Sequence, residues 1–451
     1  MTLEIIDCGE YVKTQVFSDI DLLDCHAANP TRYPFLLESN GVQSSDNSVD
    51  ILFGFPGEVI ESTDLNDEQF FSQFDQSFNQ NKKTLSHHEN LPFTGGWFVF
   101  LSYELVGSIE KKLSDLKVDE NLPLASAVRI PLAIIKNRKD KTCWIVCESD
   151  QTSLIDEVLM DINQISQWVE TPPSVVLKED SAELFLDGVK KIDAYLVEGD
   201  TLQVNLSRQW TGELTNGTQY IDIYRSLRAC NPSPFSGLAR YGKSVICSSS
   251  PERLINCIGD VVQMRPIAGT RPRHDDVALD KGLAEELLTN TKESAEHIML
   301  IDLIRNDLGR ICQTGTVNVD EKMTIESYAA VHHIVSNISG KLSPDTTPSD
   351  IIKAVFPGGT ITGCPKVRCM EIINELEHSP RGAYTGSMGY INRNGDLDLN
   401  ILIRTMTVND RTLILRTGAG IVADSVADNE LEETRHKAKA LLKALNIHDT
   451  E

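Results

Sequence analysis

Strand-like and helix-like segments fail to alternate regularly along this 451-residue chain, and that order narrows its possible folds more than any other feature. Up to about Gln167, short apolar runs (VDILFGF, GGWFVFLSYEL, RIPLAIIK and CWIVCES) are separated by polar insertions such as Asp64–Asn90, the pattern of sheet joined by long loops. VETPPSVVLKED, with Pro172 and Pro173, interrupts the helical pattern before it and marks a boundary or linker. Beyond it, SAELFLDGVKKIDAYLVEGD predicts an amphipathic helix ending near Gly199, followed by the strand-like TLQVNLSRQW. Further helices are expected near 219–230, from about 278 to 309, near 366–377 and from about 428 to 446. Strand candidates between them are SVICSSSPERLINC, AYTGSMGYIN, LNILIRTMTV and RTLILRTGAGIV. Without a regular βαβ alternation a doubly wound parallel sheet is disfavoured, and the expectation is an α+β fold with large, mainly antiparallel sheets.

Length alone leaves open two or three units or one unusually large mixed fold. With 41% hydrophobic and 24% charged residues the chain can bury a substantial core, so disorder is not expected. A formal net charge of -24 repels nucleic acid and anionic membrane in bulk, so an anionic ligand needs a local basic cluster. RPIAGTRPR, residues 265–273, looks like such a cluster: a compact loop of three arginines without an obvious nucleophile. The ten cysteines are scattered without a CxxC pair, no run reaches the roughly 18–20 apolar residues of a membrane span, and MTLEIIDCGE does not read as a leader. A soluble protein of the reducing cytoplasm is expected.

Carboxylates stand where apolar residues belong. In KESAEHIMLIDLIRNDLGR, Glu293, Glu296, Leu300 and Ile304 share one helical face, and burying two unpaired carboxylates there costs several kcal/mol, so a cation is the natural remedy. In the last helix, Leu431, Thr434, Ala438, Leu441, Leu442 and Leu445 form the apolar stripe while Glu430, Glu433 and Lys437 line its edge. Oxygen ligands without histidine–cysteine spacing suit Mg²⁺ that keeps waters and shares its shell with an anionic substrate. The alternative is that each glutamate pairs with a nearby lysine or arginine on a solvated face.

FPGGTITGCPKVRCMEIINELE puts Gly358, Gly359, Thr360, Thr362 and Gly363 before a helix starting near Pro365, where backbone N–H groups can approach an anion, without the Walker spacing. TGAGIVADS carries Gly418 and Gly420 at a strand end, read either as close backbone contact with a ligand or as simple turns. Arg404, a lone charge in LNILIRTMTV, points into a polar cavity to grip a carboxylate or else forms a structural ion pair, and Tyr384 sits similarly in RGAYTGSMGY.

Together RPIAGTRPR, SAEHIMLIDLIRNDLGR, VHHIVSNISG, FPGGTITGCPKVRCMEIINELE, YTGSMGY, and TGAGIVADS followed by NELEETRHKAKA resemble the chorismate-utilising enzymes, densely over about 185–446 and more thinly through RYPFLLES and LPFTGGWFVFLSYE. The resemblance implies one large fold of two packed antiparallel sheets with helices outside, residues 1–170 forming its N-terminal part and 180–448 its chorismate-binding region. It implies Mg²⁺ held by Glu296 and Glu433, with Glu293 and Glu430 in support through water. His333, Thr270, Thr360, Tyr384, Arg404, Gly418, Gly420, Gln203 and Lys437 would surround the substrate, and Glu252 of SSSPERL would be the general acid for the departing ring hydroxyl.

Members that add water to chorismate carry a lysine base where this chain has Gln203, and glutamine cannot deprotonate water. Ammonia needs no such base, being already a nucleophile. Of the ammonia users, QVNLS, VHH, PGGTITG and GSMGY resemble aminodeoxychorismate synthase component I. Ala268 departs from them: many of those enzymes carry a nucleophilic lysine there, whereas anthranilate synthases, the near relatives, carry alanine. The implied product is 4-amino-4-deoxychorismate, toward p-aminobenzoate and folate, with anthranilate as the alternative and a non-catalytic carboxylate-binding homologue as a third reading. LLES, ending at Ser39, and NPSPF, comprising Asn231, Pro232, Ser233, Pro234 and Phe235, resemble elements lining a tryptophan pocket, the alternative being a helix-capping serine and a proline turn. The chain carries no glutaminase-like nucleophilic cysteine, so a separate glutamine amidotransferase subunit is the expected ammonia source.

Overall fold

Period-two alternation within the apolar runs builds two sheets that are each buried on both faces. In the strands Phe35–Glu38 and Val49–Gly54, Phe35, Ile51 and Phe53 pack between the sheets while Leu36 and Leu52 pack on the opposite face. In Gly96–Leu101, Phe98 and Phe100 point inward, and Trp97, Val99 and Leu101 point outward against Phe70, Phe74 and Phe78 of the helix Phe70–Asn81. Both neighbours are apolar, which is why the run GWFVFL contains no polar residue.

The computed structural model describes residues 4–16, 19–40, 48–67, 69–84, 91–166, 168–274, 276–327 and 331–447. Gln167 and, of the polar insertion Asp64–Asn90, residues 68 and 85–90 lie outside them. Among the described residues the strands form a 13-stranded and a 10-stranded sheet with antiparallel pairings throughout, accompanied by eleven α-helices, which is the expected α+β class. Helices Tyr220–Cys230 and Ala427–Ala444 cover the outer face of the larger sheet, and Thr291–Gly309 with Pro348–Val355 cover that of the smaller. No helix among the described residues is long and apolar enough to cross a membrane.

Segments on either side of Pro172 and Pro173 share both sheets: Phe35–Glu38 pairs with Phe235–Tyr241, and Gly96–Leu101 with Ser387–Asn392. Phe98 is fully buried, stacks on Phe35 with ring centroids 4.1 Å apart and meets Phe53 edge-on at 5.3 Å, so it belongs to the seam between the layers. Replacing Phe98 by alanine is expected to lower stability by about 3–5 kcal/mol, read as a shifted urea midpoint, and an unchanged midpoint would place the seam elsewhere.

Two of the expected strands are in fact pairs of strands that cross from one sheet to the other. SVICSSSPERLINC divides into Ser244–Ser250 of the larger sheet and Arg253–Ile258 of the smaller, with Pro251 and Glu252 between. LNILIRTMTV runs from Leu397–Asn400 of the smaller sheet to Thr405–Asn409 of the larger through Ile401–Arg404. Proline removes a ladder donor in the first case, and Arg404 breaks the second with a left-handed φ of 53°. Tyr384 lies in the turn before the strand Ser387–Asn392, so neither it nor Arg404 is a strand residue as expected.

The single helix expected from about 278 to 309 is two, Val277–Thr289 and Thr291–Gly309, parted by the extended backbone of Asn290. RPIAGTRPR is no loop. Ile267–Pro272 is an edge strand of the smaller sheet, bulged at Gly269, and prolines are tolerated at such edges.

Candidate active site at the sheet crossovers

The two crossovers lie side by side, because Glu252 O accepts from Ile401 N at 3.0 Å and Arg404 O from Ser249 N at 3.1 Å. An acid and a guanidinium thus enter the same space from opposite crossings between the sheets. Glu252 is 7% exposed, and burial raises its pKa to about 7, although the Thr360 hydroxyl, donating to Oε1 at 2.8 Å, and the charges of Arg404 and Lys437 pull the other way. A carboxylic acid poised near neutrality can deliver a proton. Thr360 belongs to the short turn Gly359–Ile361, where the glycine-rich segment bends back before the helix Lys366–Leu376.

Arg404 feels Tyr384, Glu433 and Glu252, while burial pulls its pKa down. Its guanidinium forms no side-chain hydrogen bond or ion pair with another described residue, which removes the alternative of a structural pair and leaves its donors for an anion.

The floor is a pair of strands, Gln203–Leu214 and Thr412–Ile421, in which Asn205 faces Gly420 and Ser207 faces Gly418. The glycines are needed for close approach. A Cβ on Gly418 would lie 2.7 Å from Asn205 Oδ1 and 3.0 Å from the Tyr384 hydroxyl, and one on Gly420 2.5 Å from Gln203 Nε2. Lys437 donates to Gly418 O at 3.0 Å and pairs with Glu433 at 2.6 Å. Gln203 donates to Glu296 Oε1 at 2.7 Å. The carboxylates of two helices therefore reach opposite ends of the stretch Gly418–Gly420.

The third wall is the edge strand. Thr270 stands opposite His333 in the ladder, and His333 Nδ1 is 3.2 Å from Gly269 O, its pKa lowered by burial. Ala268 is 7% exposed beside Ile334, so this position supplies no reactive group. The arginines of this segment are already neutralised: Arg271 by Glu286 and Glu293, Arg273 by Asp280, Arg265 by Glu321 and Glu326. They do not form the free anion cluster expected from the sequence; acidic side chains of the helices Val277–Thr289 and Thr291–Gly309 and of the strand Asn318–Ser327 consume their charge.

Leu300 and Ile304 are buried and Glu296 half-buried, as the shared helical face requires. Glu293 pairs with Arg271 at 2.8 Å through one oxygen, while its Oε2 is buried without a hydrogen-bond partner. Glu433 remains about half exposed, at 47% of its side chain, and Glu430 is half-buried one turn earlier. Among the described residues no group of three or more His, Cys, Asp or Glu side chains is gathered closely enough to form a closed metal cage. An all-oxygen set spread over two helices with one orphaned carboxylate oxygen fits a hard cation that completes its shell with water and substrate.

A separate cavity of about 580 Å³ opens between the sheets, lined in part by Glu38, Ser39, Pro234, Phe235, Arg253 and Asp398. Of the residues grouped as a tryptophan pocket, Ser39, Pro234 and Phe235 line it. Asn231 instead donates to Ser249 Oγ at 2.7 Å, Ser233 O accepts from Asn40 N at 2.9 Å, and Pro232 is exposed. Ser39 follows a strand and caps no helix.

Sequence reasoning missed Asn205, whose buried Oδ1 has no hydrogen-bond partner beside Gly418, and the buried trio Glu377, Arg381 and Arg416 beneath the floor. Glu377 and Arg381 lie beyond the end of the helix Lys366–Leu376, where no helical spacing reports a pair, so the sequence carried no signal for this trio.

The profile of chorismate binding enzymes matches residues 33–443. The chain is 43% identical over 363 residues to an anthranilate synthase component I-like protein of Synechocystis sp., covering 79% of this chain and 74% of that one. It is 40% identical over 406 residues to aminodeoxychorismate synthase component 1 of Bacillus subtilis, covering 85% of each. Among solved structures, anthranilate synthase component I of Streptococcus pneumoniae aligns with a TM-score of 0.77 at 31% identity, covering 89% of this chain and 93% of that one. The fold, the motifs and matches over most of the chain agree, and this protein belongs to the chorismate binding enzyme family, of the anthranilate and aminodeoxychorismate synthase component I type.

Proposed function

We propose that the protein replaces the ring hydroxyl of chorismate with ammonia to form 4-amino-4-deoxychorismate, working as the component I partner of a separate glutamine amidotransferase. The observation that carries the reaction class is Glu252, buried, held near neutrality by its surroundings and flanked by Thr360, Arg404 and Lys437. In this reading the N–C bond forms as the C–O bond breaks, the Glu252 proton leaves with the hydroxyl as water, and the substituted ammonium that forms returns one proton to the Glu252 carboxylate. Arg404 takes a substrate carboxylate, Lys437 keeps its positive charge beside the site while held by Glu433 and Gly418 O, and Tyr384 with Gly418 and Gly420 sets how deeply the ring enters. His333 closes the side of the edge strand to which Thr270 belongs.

Glu296 and Glu433 would hold Mg²⁺, with Glu293 and Glu430 behind them. When bound it supplies positive charge that neutralises the dianionic substrate. Gln203 supports ammonia over water as nucleophile, since an amide already donating to Glu296 accepts no proton. Among the described residues of the site, Lys437 is the one amine, and it is committed to Glu433 and Gly418 O. Ammonia therefore attacks the ring directly, without an enzyme-bound adduct.

The 4-amino product is supported by QVNLS, VHH, PGGTITG and GSMGY; a second reading, anthranilate formation, is favoured by Ala268. The cavity at Ser39, Pro234 and Phe235 accepts an aromatic amino acid such as tryptophan in either reading. Incubation with chorismate, Mg²⁺ and ammonium, followed by mass and fluorescence detection, decides between them. The 4-amino product is expected, fluorescent anthranilate would install the second reading, and no turnover would leave a binding homologue.

A further inference from the structure

Behind the site lies one guanidinium with every donor engaged. Arg381 Nε and Nη2 form a fork with Glu377 at 2.9 and 2.7 Å. Its Nη2 also donates to Asn205 O at 2.8 Å, and its Nη1 to Ile361 O at 3.1 Å and Thr385 Oγ1 at 3.3 Å. The side chain is 1% exposed and its guanidinium carbon sits 4.7 Å from the Tyr103 ring centroid and 5.7 Å from that of Tyr384. These acceptors lie in three chain segments: Ile361 follows Thr360, Thr385 follows Tyr384, and Asn205 lies two residues after Gln203.

Two further observations show that the arrangement is held under load. Thr385, β-branched, adopts a φ of 63°, a region such residues avoid, and stays there with N donating to Leu402 O at 2.7 Å and its hydroxyl accepting from Arg381. Burial alone would raise the pKa of Glu377, yet the charges of Arg381 and Arg416 hold it below the ordinary carboxylate range, and Ser207 donates to Glu377 from both N and Oγ at 2.8 Å. On the other side, the carboxylate of Glu104 accepts from Arg381 N at 2.7 Å and Gly382 N at 3.1 Å, fixing the start of the same turn.

We propose that Arg381 is a positioning residue for the reaction: clamped by Glu377, it sets Thr360, Tyr384 and the Gln203–Ser207 segment in one frame, so that the Thr360 hydroxyl meets Glu252 and the Tyr384 phenol meets Gly418. It touches no substrate group itself. The proposal rests on the reading that these residues face the substrate. Lysine keeps the charge but has three donors on a flexible stem and cannot span the fork and the three segments together.

The test is Arg381→Lys, read first without substrate, by ¹³C NMR titration of the Glu252 carboxyl, assigned by its absence in Glu252→Gln. Arg404, Lys437 and the Thr360 hydroxyl are the groups that lower this midpoint in the wild type. Loosening Thr360 is expected to move it upward, and kcat for chorismate turnover should fall about a hundredfold while KM changes less than about threefold. Ser207→Ala trims the same network lightly, should shift both in the same direction by less, and decides the matter if the lysine variant does not fold. An unchanged Glu252 midpoint with unchanged kcat in a folded variant overturns the proposal, as does a loss matched by the unfolded fraction alone. A wild type that leaves chorismate untouched refutes the proposed reaction instead, and the titration still tests the frame.

Discussion

Glu252→Gln is expected to lower turnover by about 10²- to 10⁴-fold, the usual contribution of a positioned acid, while leaving the fold intact. Glutamine has the same shape and can still accept from Thr360, so the change removes the proton and little else. In the wild type the rate per unit of free ammonia should be flat at low pH and fall about tenfold per unit above the titration of Glu252, near pH 7, because the protonated form is the active one. The variant should lack that limb. Stability carries the same signature. The folded-state pKa lies above the ordinary value of 4.5, so the stabilising contribution is complete below that value and is lost as pH rises through about 7. At alkaline pH the burial of this charge costs on the order of 3 kcal/mol, and the glutamine variant should there be the more stable protein. Full activity in the variant, or an unshifted alkaline limb, would remove Glu252 from the acid role.

Glu433→Gln should raise the Mg²⁺ concentration needed for half-maximal turnover by more than the roughly 10- to 100-fold that disturbing an outer-shell partner costs. The same loss should appear in calorimetric titration of Mg²⁺ into the substrate-free protein. Its stability should barely change, since the ion pair with Lys437 is 31% and 47% exposed on its two sides and such pairs contribute about 0–1 kcal/mol. A large melting shift with intact Mg²⁺ dependence would invert the reading and make the pair structural.

Much of the fold was legible in the sequence because apolar periodicity reports which faces are covered. The helix Ala182–Glu198 ends at Gly199 in the left-handed conformation, and the stripe of the last helix is buried from Leu431 to Leu445. Strand breaks were less legible. A strand that leaves one sheet and enters the other shows apolar runs on both sides of the crossing, so SVICSSSPERLINC reads as one strand although Pro251 and Glu252 lie between the sheets. The arginines of residues 265–273 misled for a related reason: their partners Glu286, Glu293, Asp280, Glu321 and Glu326 lie outside the motif, on the two helices that follow it and on the strand Asn318–Ser327.

By itself the sequence determined the class of the fold, its antiparallel layers, the family, and the residue types gathered for an anionic substrate, because hydrophobic period and motif chemistry are local properties. The tertiary structure alone decided which charges are spent and which remain available. Arg271 and Glu293 neutralise each other, Arg404 makes no guanidinium hydrogen bond with another described residue, and Glu252 is desolvated between two sheets while Arg381 gathers three segments behind it. Pairing and desolvation depend on distance in space, and residues from different chain segments acquire it only when the sheets close.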